Sequence, residues 1–116
     1  MVNPAEEVPT ASVRDLPGDP VLLDVREDDE WAAGHAPVAK HIPLGELPAR
    51  LDELAELPDD QPLYVVCRTG GRSARATMWL NANGWDAVNV AGGMKSWQTE
   101  GRELVGDRPG AEPEVL

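Results

Sequence analysis

The chain has 116 residues, of which 41% are apolar, so it is long enough for one compact domain with a hydrophobic core and too short for two. Its formal net charge of −11 and its sequence pI near 4.4 argue against nucleic acid as a partner, because phosphate backbones require a basic surface. With one cysteine, no secretory signal pattern and no apolar run of membrane length, we expect a cytoplasmic protein that has no disulfide and no membrane partner.

The first half of the chain alternates a short apolar run with helical patterns. Residues 21–25 follow a Pro-Gly-Asp-Pro turn and predict a buried strand. An acidic run with a glycine after it predicts a brief helix over residues 27–33. Leucines at three- and four-residue spacing predict an amphipathic helix over residues 44–57, with Pro48 in its first turn or at its start.

The second half continues the alternation. Residues 63–67 predict a second buried strand. Residues 73–83 predict a helix whose buried face includes Ala74, Met78, Leu80 and Asn81. Residues 85–90 are a third strand candidate, and residues 94–100 a last helix. Short buried strands separated by helices are typical of a mostly parallel sheet covered on both faces, so the predicted fold class is α/β.

The only cysteine lies in the stretch VVCRTGGRSAR, residues 65–75. Cys67 would end a buried strand, at the sheet edge where open α/β sheets bind ligands. Gly70 and Gly71 allow the backbone to turn its amides inward as an anion-binding nest, and a helix starting at Ser73 adds its positive end. Helix N-termini and arginines stabilise a thiolate, so the stretch predicts Cys67 as a nucleophile.

Several kinds of site compete for this stretch. A nucleotide-binding P-loop requires a lysine, which is absent here. A cysteine phosphatase places its arginine one position after Arg72, where this chain has Ser73, and the shorter loop suits a tetrahedral phosphate poorly. A cysteine that is merely a small buried residue leaves the loop glycines and arginines unexplained. The third option is a cysteine that carries one extra sulfur as a persulfide. Separately, we expect the Arg75 side chain to point outward from the helix and to lie outside the site.

Four motifs in order resemble the single-domain rhodaneses, a family of sulfurtransferases. They are LLDVR at 22–26, GHAPVA with IPL at 34–44, CRTGGRS at 67–73, and AGGM with a tryptophan at 91–97. The resemblance covers residues 8–104. It leaves residues 1–7 as an N-terminal extension and residues 105–116 as an extended C-terminal tail, in which two prolines and a glycine exclude regular structure.

The resemblance implies a rhodanese-like fold with a mostly parallel five-stranded sheet and helices on both faces. It also implies an enzyme of the thiosulfate sulfurtransferase type, which works by a ping-pong mechanism without a cofactor. Cys67 would take the outer sulfur of a donor such as thiosulfate as a covalent persulfide and pass it to cyanide, a thiol or a protein. Arg68 would meet the donor and Arg72 would steady the loop, whose anion-binding residues are Arg68, Thr69, Gly70, Gly71, Arg72 and Ser73.

A second function stays open beside this enzyme. The domain could be a non-catalytic or carrier module that accepts sulfur from a partner protein or docks to it. The intact cysteine loop favours the enzyme, whereas the acidic surface favours the carrier because it repels free thiosulfate.

Four further polar residues have two interpretations each. Asp24 and Arg26 end the first predicted strand, at the same edge of the sheet as Cys67. They form either an ion pair near the pocket around Cys67 or a turn in which the Asp24 side chain binds the main chain. His35 and His41 lack the spacing of a metal site, so we expect no metal.

Overall fold

The structure is a computed structural model that describes residues 8–116, so the predicted extension at 1–7 lies outside the described residues. Within residues 8–116 the chain forms one sheet of five strands in the order β1-β5-β4-β2-β3, and every neighbouring pair is parallel. The strands are β1 (Thr10–Ser12), β2 (Leu22–Asp24), β3 (Lys40–His41), β4 (Leu63–Val66) and β5 (Ala87–Ala91). This sheet confirms the predicted parallel α/β architecture.

Helical segments cover both faces of the sheet. The α-helices are α1 (Asp28–Ala33), α2 (Leu51–Leu54), α3 (Gly71–Ala82) and α4 (Gly93–Thr99), with 3-10 turns at Val13–Asp15 and Leu44–Arg50. Successive strand residues point to opposite faces, so Val65 packs with Leu80 of α3 in one core cluster while Val66 packs with Met94 of α4 in another. The two clusters are the two halves of the hydrophobic core.

The register of the central strands fixes where the polar residues meet. Asp24 at the end of β2 pairs with Val66 at the end of β4, and Cys67 follows directly. The carboxyl ends of β2 and β4 therefore lie side by side, at the edge where open parallel sheets bind ligands.

The predicted helix over residues 44–57 is wrong in type. The segment is a 3-10 turn over Leu44–Arg50 with Pro48 inside it, followed by the four residues of α2. Proline lacks an amide hydrogen and its ring clashes with the preceding turn of an α-helix, so a regular helix cannot run through Pro48. The apolar face of the segment is nevertheless correct, because its leucines pack against one core cluster.

Helix α3 buries the predicted face only in part, because Leu80 is buried whereas Ala74 and Asn81 are half-buried. Met78 is 41% exposed, so its predicted burial is wrong. The buried positions of α3 are Ser73, Ala76, Thr77 and Leu80. Two of them carry hydroxyl groups whose hydrogen bonds are satisfied inside the protein, and this satisfaction allows polar residues on the buried face.

The tail over residues 105–116 folds back on the domain. Its regular structure is limited to one antiparallel bridge, between Val105 and His35. The amide of Glu114 donates to the carbonyl of Ala33 at 2.9 Å, and Val115 is 7% exposed within a core cluster. None of the helices in residues 8–116 is both long and apolar enough to cross a membrane.

Candidate active site

Cys67 lies between the end of β4 and the start of α3, and the loop that follows wraps around its sulfur. The Gly70 amide donates to Cys67 Sγ at 3.1 Å and the Ser73 hydroxyl lies within hydrogen-bond distance at 3.3 Å. Gly70 has a φ of 126°, which favours glycine and lets its amide face the sulfur. Cys67 is 1% exposed, so the protein rather than the solvent determines the chemistry of the thiol.

Two opposing effects act on the thiol. Burial raises the pKa of Cys67, because a charged thiolate is disfavoured away from water. The hydroxyl of Ser73 and the amides of Ser73, Gly70 and Thr69 lower it, because they donate hydrogen bonds to the anion. The donors prevail, and the pKa of Cys67 lies below its ordinary value. The loop therefore favours the thiolate form of Cys67, and the role of Cys67 as a nucleophile stays a prediction.

Helix α4 holds the cysteine loop from behind. The Met94 amide donates to the Cys67 carbonyl at 2.8 Å, and the Lys95 amide donates to the Arg68 carbonyl at 3.1 Å. A Cβ at Gly93 would collide with the main chain of Cys67 and Arg68, and its φ of 56° also favours glycine. The close approach of α4 to the loop therefore requires the second glycine of the Gly92-Gly93 pair.

Arg72 is bound to a carboxylate that the sequence analysis did not assign to the site. Its guanidinium donates to both carboxylate oxygens of Glu30, at 2.7 and 2.9 Å. The hydrogen bonds from Arg72 lower the pKa of Glu30 to about 2, against the opposing effect of burial. In return, the Glu30 carboxylate raises the pKa of Arg72. The pair joins the start of α3 to α1, and the role of Arg72 in steadying the loop stays a prediction.

The remaining loop residues lie at the protein surface beside Cys67, and we call this surface the entrance. Arg68, Thr69 and Gly71 are exposed, and Arg75 one turn into α3 is also exposed. Arg68 Nε donates to the main-chain oxygen of Leu116 at 2.6 Å. The side chain expected to meet an anionic donor is thus engaged by the C-terminal tail.

Ser73 connects the sulfur to β5. Its hydroxyl lies 3.3 Å from Cys67 Sγ, 3.2 Å from the Gly70 carbonyl and 2.6 Å from Asn89 Oδ1. A hydroxyl has one proton, so these acceptors compete for it. Asn89 is buried on β5 and was not among the predicted site residues, because no local pattern marks a partner that lies across the sheet.

Asp24 and Arg26 form both of the structures that the sequence left open. Arg26 Nη2 donates to Asp24 Oδ2 at 2.8 Å, both side chains are fully buried, and Asp24 Oδ1 accepts the Arg26 amide in a local turn. Arg26 also donates to the carbonyls of Glu30 and Gly34, at 3.3 and 2.8 Å. The pair thereby fixes the end of α1, whose Glu30 holds Arg72, and its contribution to catalysis stays a prediction.

The two histidines pack on an aromatic ring. His35 and His41 stack on Trp31 with ring centroids 3.6 and 4.6 Å apart. His35 Nδ1 lies 2.8 Å from the Trp31 carbonyl and His41 Nε2 lies 2.7 Å from the Arg26 carbonyl. Both rings therefore have partners in the packing around α1.

The fold and the site define an α/β protein in which main-chain amides surround a buried cysteine at the carboxyl ends of parallel strands. The Rhodanese-like domain family matches residues 10–100, most of the chain. This chain belongs to the rhodanese-like domain family.

Individual relatives agree with this assignment. YtwF of Bacillus subtilis (strain 168), provisionally named a sulfurtransferase, is 40% identical over 79 residues, which are 68% of this chain and 74% of YtwF. YrkF of the same organism, provisionally named a sulfur carrier protein, is 40% identical over 77 residues, which are 66% of this chain and 40% of YrkF. The crystal structure of a rhodanese-related protein from Thermoplasma volcanium is similar with a TM-score of 0.74 and 33% identity, covering 84% of this chain and 97% of that one.

Proposed function

We propose that this chain is a sulfurtransferase that moves a sulfur atom from a donor such as thiosulfate to cyanide, a thiol or a protein, through a persulfide on Cys67. The observation that carries the proposal is the cradle around Cys67 Sγ, where the Gly70 amide and the Ser73 hydroxyl face the sulfur and lower its pKa. The provisional sulfurtransferase name of YtwF supports the same chemistry.

The first half-reaction loads the enzyme. The Cys67 thiolate attacks the outer sulfur of thiosulfate, a new S–S bond forms, and the old S–S bond breaks as sulfite leaves with its electron pair. The product is a cysteine persulfide anion, so charge is conserved and no redox cofactor is needed. The amides of the loop, already directed at the sulfur in the resting enzyme, would stabilise the persulfide anion without reorganisation.

The second half-reaction unloads the enzyme. A thiophilic acceptor attacks the terminal sulfur of the persulfide, and the Cys67 thiolate leaves with the bonding electrons. The same donors that lower the pKa of Cys67 make its thiolate a good leaving group. In this scheme Arg72, held by Glu30, positions the loop and does not itself carry the sulfur.

Steady-state turnover tests the proposal. Purified protein is supplied with thiosulfate and cyanide, and the release of sulfite and thiocyanate is measured. We expect turnover that disappears in Cys67→Ser, because the hydroxyl is a far weaker nucleophile than the thiolate. Ser12→Ala on β1 is the control, since the Ser12 hydroxyl donates to Asp15 on the exposed surface. Undiminished turnover in Cys67→Ser would refute the mechanism.

The carrier function is the second candidate, and two observations favour it. The net charge of −11 repels a free dianion, and YrkF is provisionally named a sulfur carrier protein. A carrier would form the same persulfide but release it slowly to small acceptors. Single-turnover loading that is fast, followed by cyanide discharge that is slow, would identify the carrier, whereas comparable rates in both halves would identify the enzyme.

A further inference from the structure

The last residues of the tail dock into the domain beside the cysteine loop. We call Glu114–Leu116 the strap. The Glu114 amide donates to the carbonyl of Ala33 at 2.9 Å, at the end of α1. Val115 is 7% exposed and packs in the core cluster that contains Met94 and Trp97. The strap is therefore fastened by a main-chain hydrogen bond and by a buried apolar side chain.

The strap also occupies the basic side chains at the entrance. Arg68 Nε donates to the main-chain oxygen of Leu116 at 2.6 Å, and Lys95 Nζ donates to that of Val115 at 3.3 Å. The main chains of both residues adjoin the cysteine, because Arg68 follows Cys67 and the Lys95 amide donates to the Arg68 carbonyl. Of the two loop arginines, Arg72 is already paired with Glu30, so the strap engages the one that remains for an incoming anion.

The main chain of the strap passes very close to Gly34 at the end of α1. A Cβ at Gly34 would collide with the main chain of Glu114. The φ of Gly34 is 177°, which any residue can adopt, so the close approach of the strap is what requires glycine here. The strap lies outside residues 10–100, the part of the chain that matches the family.

We propose that the strap is a specificity-determining segment that competes with small anions for Arg68 and Lys95. In the docked state the entrance disfavours free anionic donors such as thiosulfate relative to uncharged reagents of similar size. Release of the strap frees both cations and removes this discrimination. The inference rests on the proposed sulfur transfer for its biological meaning, although its geometry concerns the entrance alone.

Alkylation of Cys67 measures the discrimination without any sulfur transfer. Iodoacetate is an anion and iodoacetamide is neutral, and with both reagents the thiolate displaces iodide. The ratio of their second-order rates reports how well the entrance accepts an anion. Val115→Asp puts a charge into the apolar cluster and should expel the strap. Ala111→Asp adds the same charge at an exposed position of the tail that precedes the strap and leaves Val115 docked, so it is the matched control.

Hydrogen exchange at the Glu114 amide reports whether the strap is docked. In Val115→Asp we expect loss of protection together with a rise of about threefold in the iodoacetate-to-iodoacetamide ratio, the size expected for freeing exposed cationic side chains. In Ala111→Asp we expect the protection of the Glu114 amide to remain and the ratio not to rise. Gly34→Ala should expel the strap by steric collision and reproduce the effect without adding a charge.

Three results would overturn the inference. The first is a Glu114 amide that is unprotected in the unmodified protein. The second is a Val115→Asp variant that loses this protection while its iodoacetate-to-iodoacetamide ratio stays unchanged. The third is protection of the Glu114 amide that persists in both Val115→Asp and Gly34→Ala, because the strap would then be a fixed part of the fold. These outcomes leave the proposed function untouched, because alkylation does not involve a sulfur donor. Conversely, the protein could show no turnover of thiosulfate while the iodoacetate-to-iodoacetamide ratio changes as expected. That result would contradict the proposed function and leave the inference about the strap intact.

Discussion

One proton, on the hydroxyl of Ser73, links the reactive sulfur to the sheet. When Cys67 is a thiolate, the strongest acceptor near this hydroxyl is the sulfur, at 3.3 Å. When Cys67 is a neutral thiol, Asn89 Oδ1 at 2.6 Å is the better acceptor. Ionisation of the thiol is thereby coupled to the hydrogen bonding of a buried asparagine on β5.

Ser73→Ala should raise the pKa of the Cys67 thiol, because it removes the largest of the interactions that favour the thiolate. Since the thiolate forms as the pH rises through the pKa, the midpoint of iodoacetamide alkylation against pH should move to higher pH. Thr77→Val is the control, because the Thr77 hydroxyl binds the Ser73 carbonyl and not the sulfur. A midpoint that stays in place in Ser73→Ala would show that the amides alone set the pKa.

At this scale the sequence predicts the nucleophile but not the residues that bind its loop. Cys67 and its loop were predictable because the cysteine, glycines and arginines are neighbours in the chain. Glu30 and Asn89 were not predicted, because they lie 42 and 16 residues away from the loop residues they bind. Contacts of this kind depend on strand order and leave no local pattern.

At the scale of elements, α4 determines the shape of the loop through Gly93. Gly93→Ala should displace the Cys67 carbonyl and reduce the free energy of unfolding by about 3 kcal/mol, from collision and left-handed strain together. Gly101→Ala is the matched control. Gly101 also has a positive φ, of 78°, with open space at its Cβ position, so strain alone should cost about 1 kcal/mol.

Urea unfolding measures both variants, and the thiosulfate assay follows the site. We expect turnover to fall in Gly93→Ala and to persist in Gly101→Ala. An equal decrease in the free energy of unfolding in the two variants would mean that α4 can move away from the loop without loss of stability.

The Glu30–Arg72 pair joins α1 to α3, and its contribution depends on pH. The pKa of Glu30 is lowered to about 2 from 4.5, so the pair stabilises the fold fully above pH 4.5 and loses its effect as the pH falls towards 2. Glu30→Gln should lower the free energy of unfolding by about 1 to 2 kcal/mol at pH 7. The difference from the unmodified protein should narrow below pH 4.5.

Urea titrations at several pH values check this dependence. Glu46→Gln is the control, since Glu46 pairs with Arg50 on an exposed surface and should contribute about 0.5 kcal/mol or less. A Glu30→Gln deficit that is the same at pH 3 and pH 7 would contradict the assignment of the low pKa to this pair.

Elements were predictable where an apolar run or a helical period was long enough. The central strands β2, β4 and β5 and the helices α1, α3 and α4 lie within or beside predicted segments. Strands β1 and β3 have three and two residues, lie at the two edges of the sheet, and carry no fully buried side chain, so no apolar run announces them. The leucine spacing predicts a continuous helix, but Pro48 prevents one because it lacks an amide hydrogen and its ring clashes with the preceding turn.

At the scale of the whole molecule, an acidic protein surrounds a loop whose main-chain amides face a buried sulfur. The net charge of −11 opposes free anions at long range, while amides and the start of α3 attract one at short range. The fold class could be predicted from the alternation of strands and helices. The return of the tail to Arg68 could not, because prolines and a glycine in residues 105–116 indicate only the absence of regular structure.

Intact-mass spectrometry tests the central claim most directly. The protein is treated with thiosulfate, freed of excess reagent and weighed before and after reduction, with Cys67→Ser treated in parallel. The persulfide mechanism predicts a gain of one sulfur atom, about 32 Da, that maps to Cys67 and is reversed by a thiol reductant. An unchanged mass in the unmodified protein, or the same gain in Cys67→Ser, would contradict it.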